Sequence, residues 1–160
     1  MLVGRAGPRR PPPGGFEHQI VLDDRLVAAV PDGHPLARRR RITLVELVEL
    51  PLICVPEGTG MRTALIAGCA RVGVQPRVAF EAADPVVLAG LAARGLGVAL
   101  LPESADGLDP SLTTIAIERP QLRSRIELVW RATSTPGPAA HALIAAARRF
   151  FAGSAGGGRL

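Results

Sequence analysis

Ligand chemistry is best served by a run of small residues, Glu57-Gly58-Thr59-Gly60, between an apolar stretch at 52–55 and an amphipathic stretch at 61–72. Glycines let a backbone come close to a bound group. A helix starting there offers free amides and the positive end of its dipole, which suits a carboxylate or another anion. The Thr59 hydroxyl adds one hydrogen-bonding group, and Arg62 adds a fixed positive charge. Asp84, followed by Pro85, marks a second helix start, with Asp as N-cap and Pro at the first helical position. Each place also reads as plain structure: 57–60 as a tight strand-to-helix turn, Asp84 as a simple cap.

Other chemistries lack their residues. Thr63 stands where a dinucleotide-binding loop needs its third glycine, and no Gly-Lys-Ser/Thr follows for a phosphate-binding loop. Ser104 has no Gly-x-Ser-x-Gly setting, and no paired carboxylates stand in a cleft-like context. Cys54 and Cys69 form no Cys-x-x-Cys pair, and His18, His34 and His141 are scattered, so no zinc set is offered. The expectation is a protein with no catalytic residues, no metal and no cofactor.

The 160 residues are 48% hydrophobic and 21% charged, an ordinary soluble composition, but only 3% aromatic, so aliphatic side chains must fill the core. All 19 basic residues are arginine, and the net charge is +5. Among so much Ala, Gly and Pro, that excess reads as compositional bias and not as a phosphate-binding surface. The run Arg38-Arg39-Arg40-Arg41 reads as a solvated loop, since no second basic cluster or aromatic flanks it. The start of the chain has arginines but no apolar h-region, so it is no signal peptide, and no apolar run is long enough to span a bilayer. A cytoplasmic protein with reduced thiols is expected.

The elements that must position the candidate residues follow from the pattern. Residues 1–15 read as a disordered Pro/Gly/Arg-rich start. Strands are expected at 16–22 and 26–30, separated by a turn at Asp23-Asp24. Thr43 with Glu46 three positions on is a capping box opening a helix that Pro51 ends. Residues 52–55 read as a buried strand, 61–72 as a helix closed by Gly73, 77–81 as a strand, 84–95 as a helix and 98–101 as a strand. That alternation predicts an α/β fold with a parallel sheet covered by helices. Strands at 112–117 and 125–131, a helix from Pro138 to about Phe151, and a flexible tail at 153–160 complete the chain.

Three segments resemble LysR-type transcriptional regulators. Residues 26–37, LVAAVPDGHPLA, are similar to the strand and HPLA segment of that family. Residues 42–47 with 50–53 resemble its helix and PLI strand, and 93–102, ARGLGVALLP, resembles its most recognisable turn. The likeness covers roughly 16–151. It implies a periplasmic-binding-protein-like (type 2) domain of two lobes joined by crossing strands, with a small effector in the cleft between them. The effector domain would occupy 16–152. Its near lobe would be 16–30 with 125–152, its far lobe 43–117, and the strands at 26–30 and 125–131 would cross. Glu57, Gly58, Thr59, Gly60, Arg62 and Asp84 would line the cleft.

The resemblance implies no direct DNA contact by this chain, because the helix-turn-helix of a regulator precedes this domain. It also implies an incomplete near lobe, since the domain's usual opening strand-helix-strand-helix unit enters only at its end. The expected partners are a small-molecule effector, a carboxylate or other anion, and a second copy or a full-length regulator; no membrane is expected. A stand-alone binding protein of the same fold, titrating an intact regulator, is the alternative.

Overall fold

The computed structural model describes residues 2–6, 15–131 and 137–154. Its strands are β1 (Leu2–Ala6), β2 (Phe16–Pro31), β3 (Arg41–Thr43), β4 (Leu52–Cys54), β5 (Val78–Glu81), β6 (Val98–Pro102), β7 (Leu112–Glu118) and β8 (Arg123–Arg131). Its helices are α1 (Leu44–Val48), α2 (Gly60–Val72), α3 (Pro85–Ala93) and α4 (Pro138–Ser154).

The expected alternation is present as β4-α2-β5-α3-β6. Strand β4 pairs in parallel with β5 on one side and with β6 on the other. The first crossover moves outward from β4 to β5, and the second returns past β4 to β6. Right-handed connections therefore put α2 and α3 on opposite faces of the sheet. Leu65 and Cys69 from α2, and Leu88, Ala89 and Ala92 from α3, are buried with Leu52, Ile53 and Cys54 of the strand they flank. A strand covered on both faces needs a continuous apolar run, which is what 52–55 supplies.

The main departure from expectation is β2. Sequence alone predicts two strands with a turn at Asp23-Asp24; the structure has one strand, irregular only near Ile20 and Leu22. Its first part pairs antiparallel with β8, from Phe16 opposite Arg131 to Arg25 opposite Arg123. Its last part lies between β6 and β7, antiparallel to both. The two aspartates do not turn the chain because their charges are met from afar. Asp23 accepts from Nε of Arg123 at 2.7 Å and lies 3.2 Å from Nε of Arg125. Asp24 accepts from the backbone and hydroxyl of Ser104.

Two sheets therefore share one strand. One runs β1-β8-β2; the other runs β5-β4-β6-β2-β7-β3. In the second, β2 alone runs against its neighbours, and its residues Leu26, Val27, Ala28, Ala29 and Val30 are all buried. The chain passes back from the second sheet to the first between β7 and β8, where the amide of Leu26 donates to Leu122. Helix α4 packs on β2 and buries Ile144.

Three smaller differences concern the ends and the arginine run. Residues 2–6, expected to be disordered, form β1 in unbroken antiparallel register with β8, because backbone pairing does not depend on an apolar pattern. Residues 7–14 of the expected disordered start, and the tail beyond Ser154, lie outside the described residues. Helix α4 continues past Phe151 to Ser154, into the expected tail. Within the arginine run, Arg39 pairs with Glu46 at 3.0 Å and Arg41 with Glu118 at 2.9 Å, both largely exposed.

The capping box of α1 forms as expected: Thr43 Oγ1 accepts from the Glu46 amide, and the Glu46 carboxylate accepts from the Thr43 amide at 2.9 Å. Hydrogen bonds from Arg39, then from the Thr43 backbone and hydroxyl, hold the Glu46 carboxyl down at about 2 from its ordinary 4.5. The folded pKa is depressed, so this contribution to stability is present above pH 4.5 and is lost as pH falls through about 2. An NMR titration of the Glu46 carboxyl should show a midpoint near 2; a midpoint near 4.5 would mean the cap does not hold in solution.

Gly97 enters β6 where the amide of Val98 donates to the Pro51 carbonyl at 2.9 Å. A Cβ at Gly97 would lie 2.5 Å from that carbonyl oxygen, a backbone atom fixed by the β4 strand start. Gly33, in contrast, faces open space. Gly97→Ala should cost about 1–3 kcal/mol in denaturant unfolding, while Gly33→Ala should be near neutral. Equal effects at the two positions would contradict the close approach of β6 to Pro51.

Candidate functional site

The residues at 57–62 form a loop and the first turn of α2, directly beyond the carboxyl end of β4. Thr59 is the N-cap. Its hydroxyl accepts from the Arg62 amide at 3.3 Å and donates to the Pro56 carbonyl at 2.8 Å. Its own carbonyl accepts from the Thr63 amide at 2.9 Å. The amides of Gly60 and Met61, at the first positions of the helix, have no acceptor within it. Gly58 has φ +80, a left-handed conformation that other residues adopt at a cost, and this turns the loop into the helix. Gly60 is buried; Glu57 and Gly58 are exposed.

Arg62 is the unusual member. Its side chain is only 10% exposed. Buried arginine requires a counter-charge, and Glu81, the last residue of β5, supplies it: Arg62 Nη1 donates to Glu81 Oε1 at 2.8 Å. The parallel register sets Glu81 opposite Cys54, which brings the carboxylate to the carboxyl end of β4. Glu57 Oε1 lies 3.6 Å from Nη2 of the same guanidinium, beyond hydrogen-bonding distance. Nε of Arg62 is buried without a hydrogen-bond partner among the described residues.

Sequence reasoning missed Glu81. The only signal was its place at the end of a strand expected to run parallel to 52–55. Of the expected site residues, Glu57, Thr59 and Arg62 are brought together, with Gly58 and Gly60 shaping the loop that joins them. Asp84 stands at the next helix start. Its carboxylate accepts from the Val86 amide at 2.8 Å, and the side chain is exposed. The structure gives it no bond to the Arg62 group. The two helix N-termini nonetheless open on the same end of the parallel sheet, where such folds bind ligands.

Cys54, the last residue of β4, is fully buried and its thiol is pushed up to about 12, chiefly by burial and against the opposing pull of Arg62. Burial also raises the thiol of Cys69. Among the described residues no three His, Cys, Asp or Glu side chains are placed to hold a metal ion, and no described helix is long and apolar enough to cross a membrane.

Known proteins share this fold. The family model described as LysR substrate binding domain matches residues 3–152. The transcriptional dual regulator GltC of Bacillus subtilis is 33% identical over 113 residues, covering 69% of this chain and 38% of GltC. A probable hydrogen peroxide-inducible genes activator of Mycobacterium avium is 34% identical over 118 residues, covering 71% of this chain and 38% of that protein. The chain thus spans well under half the length of these relatives. Among solved structures, the effector-binding domain of QuiR in complex with shikimate superposes with a TM-score of 0.76 at 20% identity, over 94% of this chain and 72% of that one. The periplasmic-binding-protein-like architecture of two sheets sharing a crossing strand, and the match along nearly the whole chain, lead to one conclusion: this chain belongs to the LysR substrate-binding domain family.

Proposed function

We propose that this domain senses a small organic effector, a carboxylate or other anion, at the carboxyl ends of β4 and β5, and that it serves a transcriptional regulator. One observation carries this reading: two helices, α2 and α3, start beyond adjacent parallel strands, and a buried guanidinium stands in the first turn of one of them. Oriented amides and a desolvated positive charge recognise a carboxylate more strongly than they would in water. The QuiR domain, described with shikimate, has the same fold and supports it.

In this reading β1, the first part of β2 (16–25), β8 and α4 make the near lobe, and the β5-to-β3 sheet with residues 26–31 of β2 makes the far lobe. Sequence alone put 26–30 in the near lobe and a crossing strand at 125–131, but 26–30 pair with β6 and β7, and β8 stays in the smaller sheet. The two connections between them, through β2 and through the β7–β8 passage, are where a bound effector would change the lobes' relative setting. That change would pass to a DNA-binding domain, in a dimer or in a pairing with a full-length regulator in the cytoplasm. The domain binds its effector and does not transform it.

The M. avium relative raises peroxide sensing as a second possibility. A thiol reacts with peroxide as its thiolate, and Cys54, buried with its thiol at about 12, is protonated at neutral pH. At pH 7 a maleimide should label the folded chain far more slowly than the urea-unfolded chain. Fast labelling of the folded chain would restore a redox reading.

Thermal unfolding with a panel of small organic acids tests the effector site. An acid at a hundred times its dissociation constant should add about 2.7 kcal/mol of stability, and Thr59→Ala should diminish the shift. A shift that Thr59→Ala leaves untouched would place the ligand elsewhere.

A further inference from the structure

The expected site is short of positive charge for an anion. Among the described residues Arg62 is the cation paired there, yet Glu57, Glu81 and Asp84 all stand at the same end of the sheet. The two carboxylates facing Arg62 are held very differently. Glu81 is hydrogen-bonded at 2.8 Å and its side chain is 43% exposed; Glu57 is 3.6 Å away, makes no hydrogen bond to the guanidinium, and is 82% exposed. The first geometry is that of an anchor. The second is that of a contact that water and thermal motion readily open.

Arg62 adds an observation independent of the helix terminus. Its side chain is nine-tenths buried, Glu81 occupies Nη1, and Nε has no hydrogen-bond partner among the described residues. A guanidinium has five N–H donors, and a buried cation with unfilled donors favours gaining an acceptor. The loop has put a carboxylate near Nη2 without letting it bond.

We infer that Glu57 is an internal competitor, a carboxylate standing at Arg62 in the place of the effector's anionic group, while Glu81 is a positioning residue that keeps the guanidinium in the first turn of α2. This inference rests on the proposed anion site. The anionic group of a ligand displaces Glu57 into solvent and takes the donors that Glu57 leaves unfilled. The affinity of the site for anions is then set partly by a side chain that the ligand has to push aside, which screens out weak anions.

Calorimetry of the full chain tests it, with malonate, inorganic sulfate and malonamide as probes at constant ionic strength. Glu57→Gln removes the competing charge from an exposed side chain, so the fold is preserved. Glu49→Gln makes the same change in net charge at an exposed position after α1. Glu57→Gln should bind malonate or sulfate about twofold to fivefold more tightly than wild type, the range that one exposed ion pair covers. Glu49→Gln should match wild type, and malonamide should not distinguish the three proteins. If wild type binds an anion and Glu57→Gln binds it equally or less well, the competitor role is overturned and the anion site stands. An equal gain in Glu49→Gln would reduce the effect to net charge and likewise overturn it. If only malonamide binds, or if none of the probes binds any of the three proteins, the anion site fails and the competitor role falls with it.

Discussion

Strand β2 holds two sheets together, and it can do so because its residues change character along its length. From Leu26 to Val30 every residue is buried between β6 and β7. Each large aliphatic side chain so buried contributes about 1.5–3 kcal/mol, so this half of β2 is fixed in the larger sheet. The half before it carries Glu17, His18, Gln19, Asp23 and Asp24, and pairs with β8. Where the strand passes from one setting to the other, Asp23 is held by Arg123 and Arg125 and Asp24 by Ser104. These contacts join segments far apart in the chain at the crossing point, so charge pairing adds to the ladder there.

The candidate residues at 57–62, Glu81 and Asp84 all belong to the larger sheet and its helices. Helices α2 and α3 start where they do because β4 and β5 are parallel, adjacent and end together, with Cys54 opposite Glu81. This register brings Glu81 to Arg62 and lets the buried arginine persist. Glu81 therefore joins the candidate site without belonging to either helix start. Burial also pushes the Cys54 thiol up to about 12, so a few residues from the guanidinium the thiol is held protonated at neutral pH.

Much of the fold was legible because local rules governed it. The capping box at Thr43, the Asp84-Pro85 start, the stop at Gly73 and the β4-α2-β5-α3-β6 alternation all follow from neighbours within a few residues. What escaped depends on distant partners. Asp23-Asp24 reads as a turn until Arg123, Arg125 and Ser104 are known to face it. Residues 2–6 read as an unstructured start until β8 offers its edge. The loop at 57–60 and Asp84 were legible as helix starts, and Arg62 as a cation beside one of them. Its burial, and the two carboxylates that divide its charge, required the register of a parallel sheet that one sequence does not state.

Amide hydrogen exchange of the whole chain, with and without the organic acid that raises its unfolding temperature, tests the central claim most directly. The account predicts the slowest exchange in the buried half of β2 and in β6, and new protection on binding at the loop and first turn at 57–63 and the start of α3. Protection gained elsewhere, with 57–63 unchanged, would contradict it.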